Sequence, residues 1–220
     1  MPRALALLHR LNGHFLGRLL TTLVTIAVTF QPYFWLNNHL PPRFDFLTPL
    51  DTAIPFLPWT YAIYSSFFAL LLGAAWLLDA EEYLRMLGAV LLANAACYLG
   101  FILFTAHYPR PPLDRIPPGL WHDQFQRMYA SDHAGNTFPS IHVATTMLGA
   151  LRLWHHRGGA LWMLWACLIS LSTLTVKQHY IADVVGGLAV AGCVHALLFR
   201  HWREAALSVP GVSAAGEGRS

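Results

Sequence analysis

Six stretches of this 220-residue chain contain no Asp, Glu, Lys or Arg: Leu19–Pro42, Thr52–Leu78, Met86–Pro109, Ala134–Leu151, Gly158–Val176 and Val184–Phe199. A bilayer core about 30 Å thick needs roughly 20 helical residues to cross it. Trimmed at Pro, Asn and Gly, the stretches predict helices near 15–37, 57–78, 84–106, 139–155, 160–177 and 179–200. The last three reach spanning length by taking in a polar residue at one end. The expectation is an all-α, polytopic membrane protein, a bundle of six transmembrane helices. Trp121, Phe125, Met128 and Tyr129 recur at helical spacing in the loop after the third span. That stripe predicts a short amphipathic helix lying on the membrane and covering whatever the loop encloses. The first span is too long for a signal-peptide core and lacks a small-residue cleavage site. No period of 20–50 residues repeats. One integral membrane catalytic domain over 1–208 is expected, with a flexible cytoplasmic tail at 209–220.

Composition sharpens this picture. The chain is 55% hydrophobic and 11% charged, with mean hydropathy +0.44. Soluble domains carry about 25% charged residues. The shortfall excludes a water-soluble globule, a disordered chain and a nucleic-acid binder of the basic-patch kind. Cys97, Cys167 and Cys193 lie in apolar stretches without metal-type spacing. With the N-terminus inside, nine Arg lie on the cytoplasmic side, against four Arg and Lys177 outside. The positive-inside rule therefore puts both termini in the cytoplasm. Thirteen Arg to one Lys hints at a GC-rich bacterial genome, hence a cell inner membrane. Trp35, Trp59, Trp121, Trp154 and Trp202 fall near the expected interfaces.

Span parity then gathers the polar residues. The loop of roughly 107–138, the start of the fourth helix and the turn between the fifth and sixth all share one side. With the N-terminus inside, that side is extracytoplasmic. Three blocks meet there: His107–Pro112, Asn136–His142 and Lys177–Asp183. Ionisable groups at membrane depth are costly and point to function.

Each block has a chemical and a plainer reading. Asn136 or Ser140 can cap a helix whose first turn is favoured by Pro139, making an anion site with His142 beside it. The plainer reading is a capped helix with an interfacial histidine. His179 and Asp183 are four apart, on one helical face, so the carboxylate can hold one ring nitrogen and leave the other as nucleophile or base. The alternative is a helix-start ion pair. Arg110, between prolines, matches phosphate bidentately or is simply solvated. Lys177 stands on the aqueous rim. Together the blocks read as phosphoryl chemistry on a lipid-borne substrate. Asp132, His133, Asn136 and Tyr180 are further candidates for head-group or loop contacts.

The segments Phe138-Pro139-Ser140-Ile141-His142 and Lys177-Gln178-His179-Tyr180-Ile181-Ala182-Asp183-Val184-Val185-Gly186-Gly187 resemble the second and third motifs of the type 2 phosphatidic acid phosphatase superfamily. The likeness is closest to its inositolphosphotransferase-like and sphingomyelin-synthase-like branch, with Tyr129–Asn136 and Leu50–Trp59 also similar to that branch. The resemblance implies a six-helix bundle and metal- and cofactor-independent chemistry through a phosphohistidine. His179 would attack phosphorus and Asp183 would orient and charge-balance its ring. His142 would protonate the leaving oxygen and then activate the acceptor. Arg110, Ser140 and Lys177 would hold the phosphate oxygens. Two positions depart from the family pattern. Leu103 stands where the first motif has Lys, and Thr173 where the third has Arg.

The resulting expectation is a lipid phosphatase or phosphotransferase cleaving a phosphoester or pyrophosphate at the extracytoplasmic face. The alternative is a head-group transferase moving a phospho-head group, such as phosphoinositol, to a lipid or polyol alcohol. A remoter reading, prompted by twelve histidines, is a haem or quinone redox protein, although most of them sit in loops or at interfaces. Gly186, Gly187 and Gly192 read as helix-packing positions, and His195 as a core histidine bonded to a neighbouring backbone or hydroxyl.

Overall fold

The computed structural model describes residues 3–207, and side chains within 6–199. The tail expected at 209–220 and the side chain of Trp202 lie outside the described residues. The chain folds into helices α1 (Arg3–Asn12), α2 (Phe15–His39), α3 (Pro49–Ala53), α4 (Tyr61–Ser65), α5 (Phe68–Leu77), α6 (Ala80–Leu103), α7 (Leu120–Ser131), α8 (Ile141–Leu153), α9 (Gly159–Thr175) and α10 (Ile181–Leu207). There is no strand among the described residues beyond an isolated bridge between Phe44 and Ala106.

Four described helical stretches are long and apolar enough to cross a membrane: Phe15–His39, Pro58–Leu77, Ala80–Leu103 and Ile181–Phe199. This is a membrane protein. The expected fourth and fifth spans are shorter, at 13 residues for α8 and 17 for α9. The expected second span is also interrupted. Between α4 and α5 the bonds tighten to the i−3 pattern: Ser66 N reaches Ile63 O, Ala69 N reaches Ser66 O and Leu70 N reaches Phe67 O. The Ser66 hydroxyl takes Ile63 O as well, and such back-bonding bends helices. Helices α1 and α3 are additions to the expected set. Each has fewer than eleven residues, too few to register as a span.

The centre of the bundle is α8, packed on α5, α6, α9 and α10. Small residues allow this. A Cβ at Gly187 would meet Ser140 O at 2.6 Å, and one at Gly186 would meet Phe138 Cε2 at 2.9 Å. Both glycines therefore let α10 press against the segment that opens α8. Gly192 differs from its expected role, because nothing lies within 4 Å of its missing Cβ. A core of Leu70, Ala74, Met86, Val90, Leu148 and Ile169 fills the space below.

The start of α8 is fixed from two sides. The Ser140 hydroxyl accepts from Val143 N at 3.4 Å, and Ser140 N donates to Asp183 O at 3.0 Å. Ser140 is thus the cap, whereas Asn136 turns through a left-handed φ of 53° and donates to Tyr33 O. Pro139 precedes the cap in a cis peptide rather than sitting in the first turn. Ser140→Ala should lower stability by about 0.5–2 kcal/mol, the usual worth of such a cap. Thermal unfolding in detergent measures it, and an unchanged transition would refute the capping role.

Candidate active site

Two histidines face each other where α8 and α10 begin. The His142 and His179 ring centroids are 5.7 Å apart. His142 is the second residue of α8, as its spacing predicts. His179 departs from expectation: α10 begins at Ile181, so His179 precedes the helix instead of lying on it. The pairing with Asp183 survives for a different reason. Asp183 is the third residue of α10 and reaches back over the helix start, where its Oδ2 accepts from Tyr180 N at 2.8 Å and from His179 Nδ1 at 3.2 Å. Thr137 O lies 3.0 Å from the same ring nitrogen. Both partners of Nδ1 are acceptors, so Nδ1 carries the hydrogen and Nε2 is left with its lone pair. Asp183 is fully buried.

His142 is held differently. Its ring lies 4.5 Å from the Tyr64 ring and 4.6 Å from the Phe67 ring, and its buried Nδ1 has no hydrogen-bond partner. Aromatic contact, not hydrogen bonding, sets its position. Both histidines line a small cavity with Tyr33, Tyr64, Arg110 and Asp132.

Arg110 is the only Lys or Arg among the described residues lining that cavity. Its guanidinium donates to Asp132 O and, at 3.0 Å, to His133 O, and lies 3.4 Å from Asp132 Oδ2. Nε stays buried without a partner. Asp132 also accepts from Tyr33 OH and Asn37 Nδ2. Burial pushes its carboxyl above the usual carboxylate range, with Arg110 pulling the other way. His133 contributes its backbone carbonyl here, while its residue lines a neighbouring cavity with Asn37 and Thr105.

Three of the expected site residues make architectural hydrogen bonds. Lys177 adopts a left-handed φ of 57° and its Nζ donates to Asp51 O at 2.7 Å. It is buried rather than on an aqueous rim, and it faces a different cleft. Burial lowers its affinity for a proton, with Asp51 opposing. Gln178, unremarked in the sequence, takes the cavity wall in its place. The Ser140 hydroxyl caps α8 by accepting from Val143 N. The Tyr180 hydroxyl is turned to His107 O at 2.6 Å and Asp45 Oδ1 at 3.0 Å, away from the cavity.

Asp51 is the positioning group that sequence reasoning did not single out. Its Oδ1 accepts from Ile181 N at 2.7 Å, its Oδ2 accepts from Thr48 N, and its backbone carbonyl holds Lys177. One residue of α3 therefore pins the whole 177–181 turn. The signal available was Thr48-Pro49-x-Asp51, a capping box with proline at the first helical position.

A model of the PAP2 superfamily matches residues 35–197. The chain belongs to the PAP2 superfamily. Comparison with curated proteins and with solved structures returned no match. PAP2 superfamily members are in general phosphatases and phosphotransferases, which makes this chain an enzyme of that broad kind. The matched region contains both histidines, Asp183 and Arg110. The two positions that depart from the resembled motifs both lie away from the cavity. Leu103 is 57% exposed on the outer face of α6, and Thr173 is buried beneath the 177–179 turn, its hydroxyl on Ser170 O at 2.7 Å. Neither lines the cavity.

The cavity continues into a second, apolar one of about 170 Å³ that shares Tyr33, Tyr64, Asp132, Ile141 and His142 with it. Phe30, Phe68, Leu71 and Val90 form its walls, between α2, α5, α6 and α8. On α7, Phe125 is fully buried against Phe56 and Tyr61, while Leu120 is exposed. Among the described residues no three His, Cys, Asp or Glu side chains converge to hold a metal ion. His195, far along α10, has an unpartnered Nδ1 in place of its expected hydrogen bond.

Proposed function

We propose that this protein cleaves a lipid phosphoester or pyrophosphate through a phosphohistidine. The chain would cross the bilayer six times, α8 and α9 included, with α7 at the interface. Both termini would face the cytoplasm of a bacterial inner membrane, and the site the periplasm. The observation that carries the reading is the His179 ring, fixed at Nδ1 by Asp183 and Thr137 O and facing His142.

His179 Nε2 attacks phosphorus and the P–O bond to the lipid breaks. His142 gives its proton to the departing lipid oxygen. The bound phosphate supplies the negative charge that lets a desolvated imidazole carry that proton. His142 then takes a proton from the acceptor, whose oxygen displaces His179 from phosphorus. Arg110 neutralises charge on the phosphate oxygens, with its own orientation set by Asp132. The apolar cavity beside His142 receives the lipid chain. Water as acceptor gives hydrolysis. An alcohol gives head-group transfer, the reaction suggested by the likeness to the inositolphosphotransferase-like branch.

Incubating pure protein with a panel of lipid phosphates, with and without alcohol acceptors, tests this directly. Released phosphate or a new phospholipid is expected, and neither appearing with any lipid would refute the reading. His142→Ala should lower turnover about 10²–10³-fold, as loss of a general acid does. With an activated aryl leaving group the first step should recover and phosphoenzyme should accumulate. Equal losses on aryl and lipid phosphates would remove His142 from acid–base duty.

A further inference from the structure

Besides His142 Nδ1, the apolar cavity contains a second polar group that the protein leaves unserved. Asn94 sits mid-way along α6, is 6% exposed and lines this cavity. Its Oδ1 is buried and has no hydrogen-bond partner among the described residues. Three other polar residues there donate their hydrogens internally. Thr145 reaches Ile141 O at 2.7 Å, Thr29 reaches Thr25 O at 2.9 Å and Tyr98 reaches Thr29 O at 2.6 Å. A buried amide oxygen without a donor costs about 1–3 kcal/mol, and in a lipid environment no water offsets it.

The depth of Asn94 is fixed by its neighbours. Gly100 of α6 abuts Pro139, just before α8. Asn94 lies six residues back along α6, about 9 Å by helix rise. Thr145, in the same cavity, lies one turn beyond His142, about 4.5 Å. The carboxamide thus faces the same cavity as His142, deeper along α6 than the start of α8. A plain hydrocarbon chain would leave it unmet.

We infer that Asn94 selects lipid phosphates carrying a hydroxyl or amide N–H donor a few bonds from phosphorus. The inference rests on the proposed lipid-phosphate reaction and names its substrate class. Ester-only and polyisoprenoid phosphates offer no such donor.

A matched pair of probes reads this out: 1-acyl-2-hydroxyglycerol 3-phosphate and its 2-deoxy analogue with the same chain. On the unmodified protein, kcat/KM should favour the hydroxyl form about tenfold, the effect of one hydrogen bond of about 1.4 kcal/mol. Asn94→Leu should abolish the preference while keeping turnover of the deoxy analogue, which also reports that it folds. Asn94→Ser should keep part of the preference. Equal kcat/KM for both probes on the unmodified protein overturns the inference and needs no variant. So does an equal fall on both probes in Asn94→Leu. Turnover of neither probe, nor of any lipid phosphate, overturns the reaction itself and this inference with it.

Discussion

His179→Ala is expected to reduce turnover by about 10⁴-fold or more, because the residue that accepts the phosphoryl group is gone. Losses of that order follow removal of a covalent nucleophile, since what remains comes from binding and charge alone. The fold should survive. The ring of His179 is anchored by two hydrogen bonds at Nδ1, to Thr137 O and Asp183 Oδ2, and the helix start beside it is capped independently by Asp51 and Asp183. Two measurements separate chemistry from folding. Brief exposure to a phosphorus-labelled lipid phosphate should label the unmodified protein with an acid-labile, base-stable adduct and leave the variant unlabelled. Thermal unfolding should change little. Full turnover in His179→Ala, or equal labelling of both proteins, would remove the phosphohistidine.

Much of this site could be read before any coordinates because span parity is a strong constraint. Residues 107, 142 and 179 fall on one side if the helices between them cross, and helix packing then brings them together. Gly186 and Gly187 convert that shared side into contact between α10 and the start of α8. The two histidines and Asp183 do lie together, although His179 stands before its helix. What spacing missed has a common cause. Lys177 and Tyr180 were legible as residue types, but their side chains donate to backbone carbonyls of distant segments, Asp51 O and His107 O. Local sequence does not announce such partners. Lys177 in particular is turned away by a left-handed backbone that no glycine or asparagine signals.

The same reasoning explains the loop helices. Helix α7 shows its apolar stripe in the sequence, yet a stripe fits a membrane surface and a protein surface alike. Phe125 of that stripe packs on Phe56 and Tyr61. Asp51 illustrates the opposite case. Its capping box is a local motif, but its Oδ1 serves α10, some 130 positions away. A short helix invisible to span counting thus sets the angle at which the 177–181 turn presents His179.

Asp183→Asn isolates the charge that balances the His179 ring. Oδ2 accepts both Tyr180 N and His179 Nδ1, while Oδ1 has no partner. An asparagine can place its amide oxygen where Oδ2 lies and keep both hydrogen bonds. What it loses is the negative charge facing an imidazole that turns cationic as it takes the phosphoryl group. In a fully buried site that charge is poorly replaced by solvent. Turnover should fall about 10³–10⁴-fold, as when the orienting carboxylate of a nucleophile–histidine pair is neutralised. The fall should lie in kcat, with KM little changed, because Arg110 and the apolar cavity remain. Asp183→Ala should add a loss of stability of about 1 kcal/mol from the uncapped Tyr180 N–H, visible as a lower unfolding temperature. Rapid-quench labelling decides the point: phosphoenzyme should form slowly in Asp183→Asn at saturating lipid. A normal rate of phosphoenzyme formation would show that the Asp183 charge takes no part in the step.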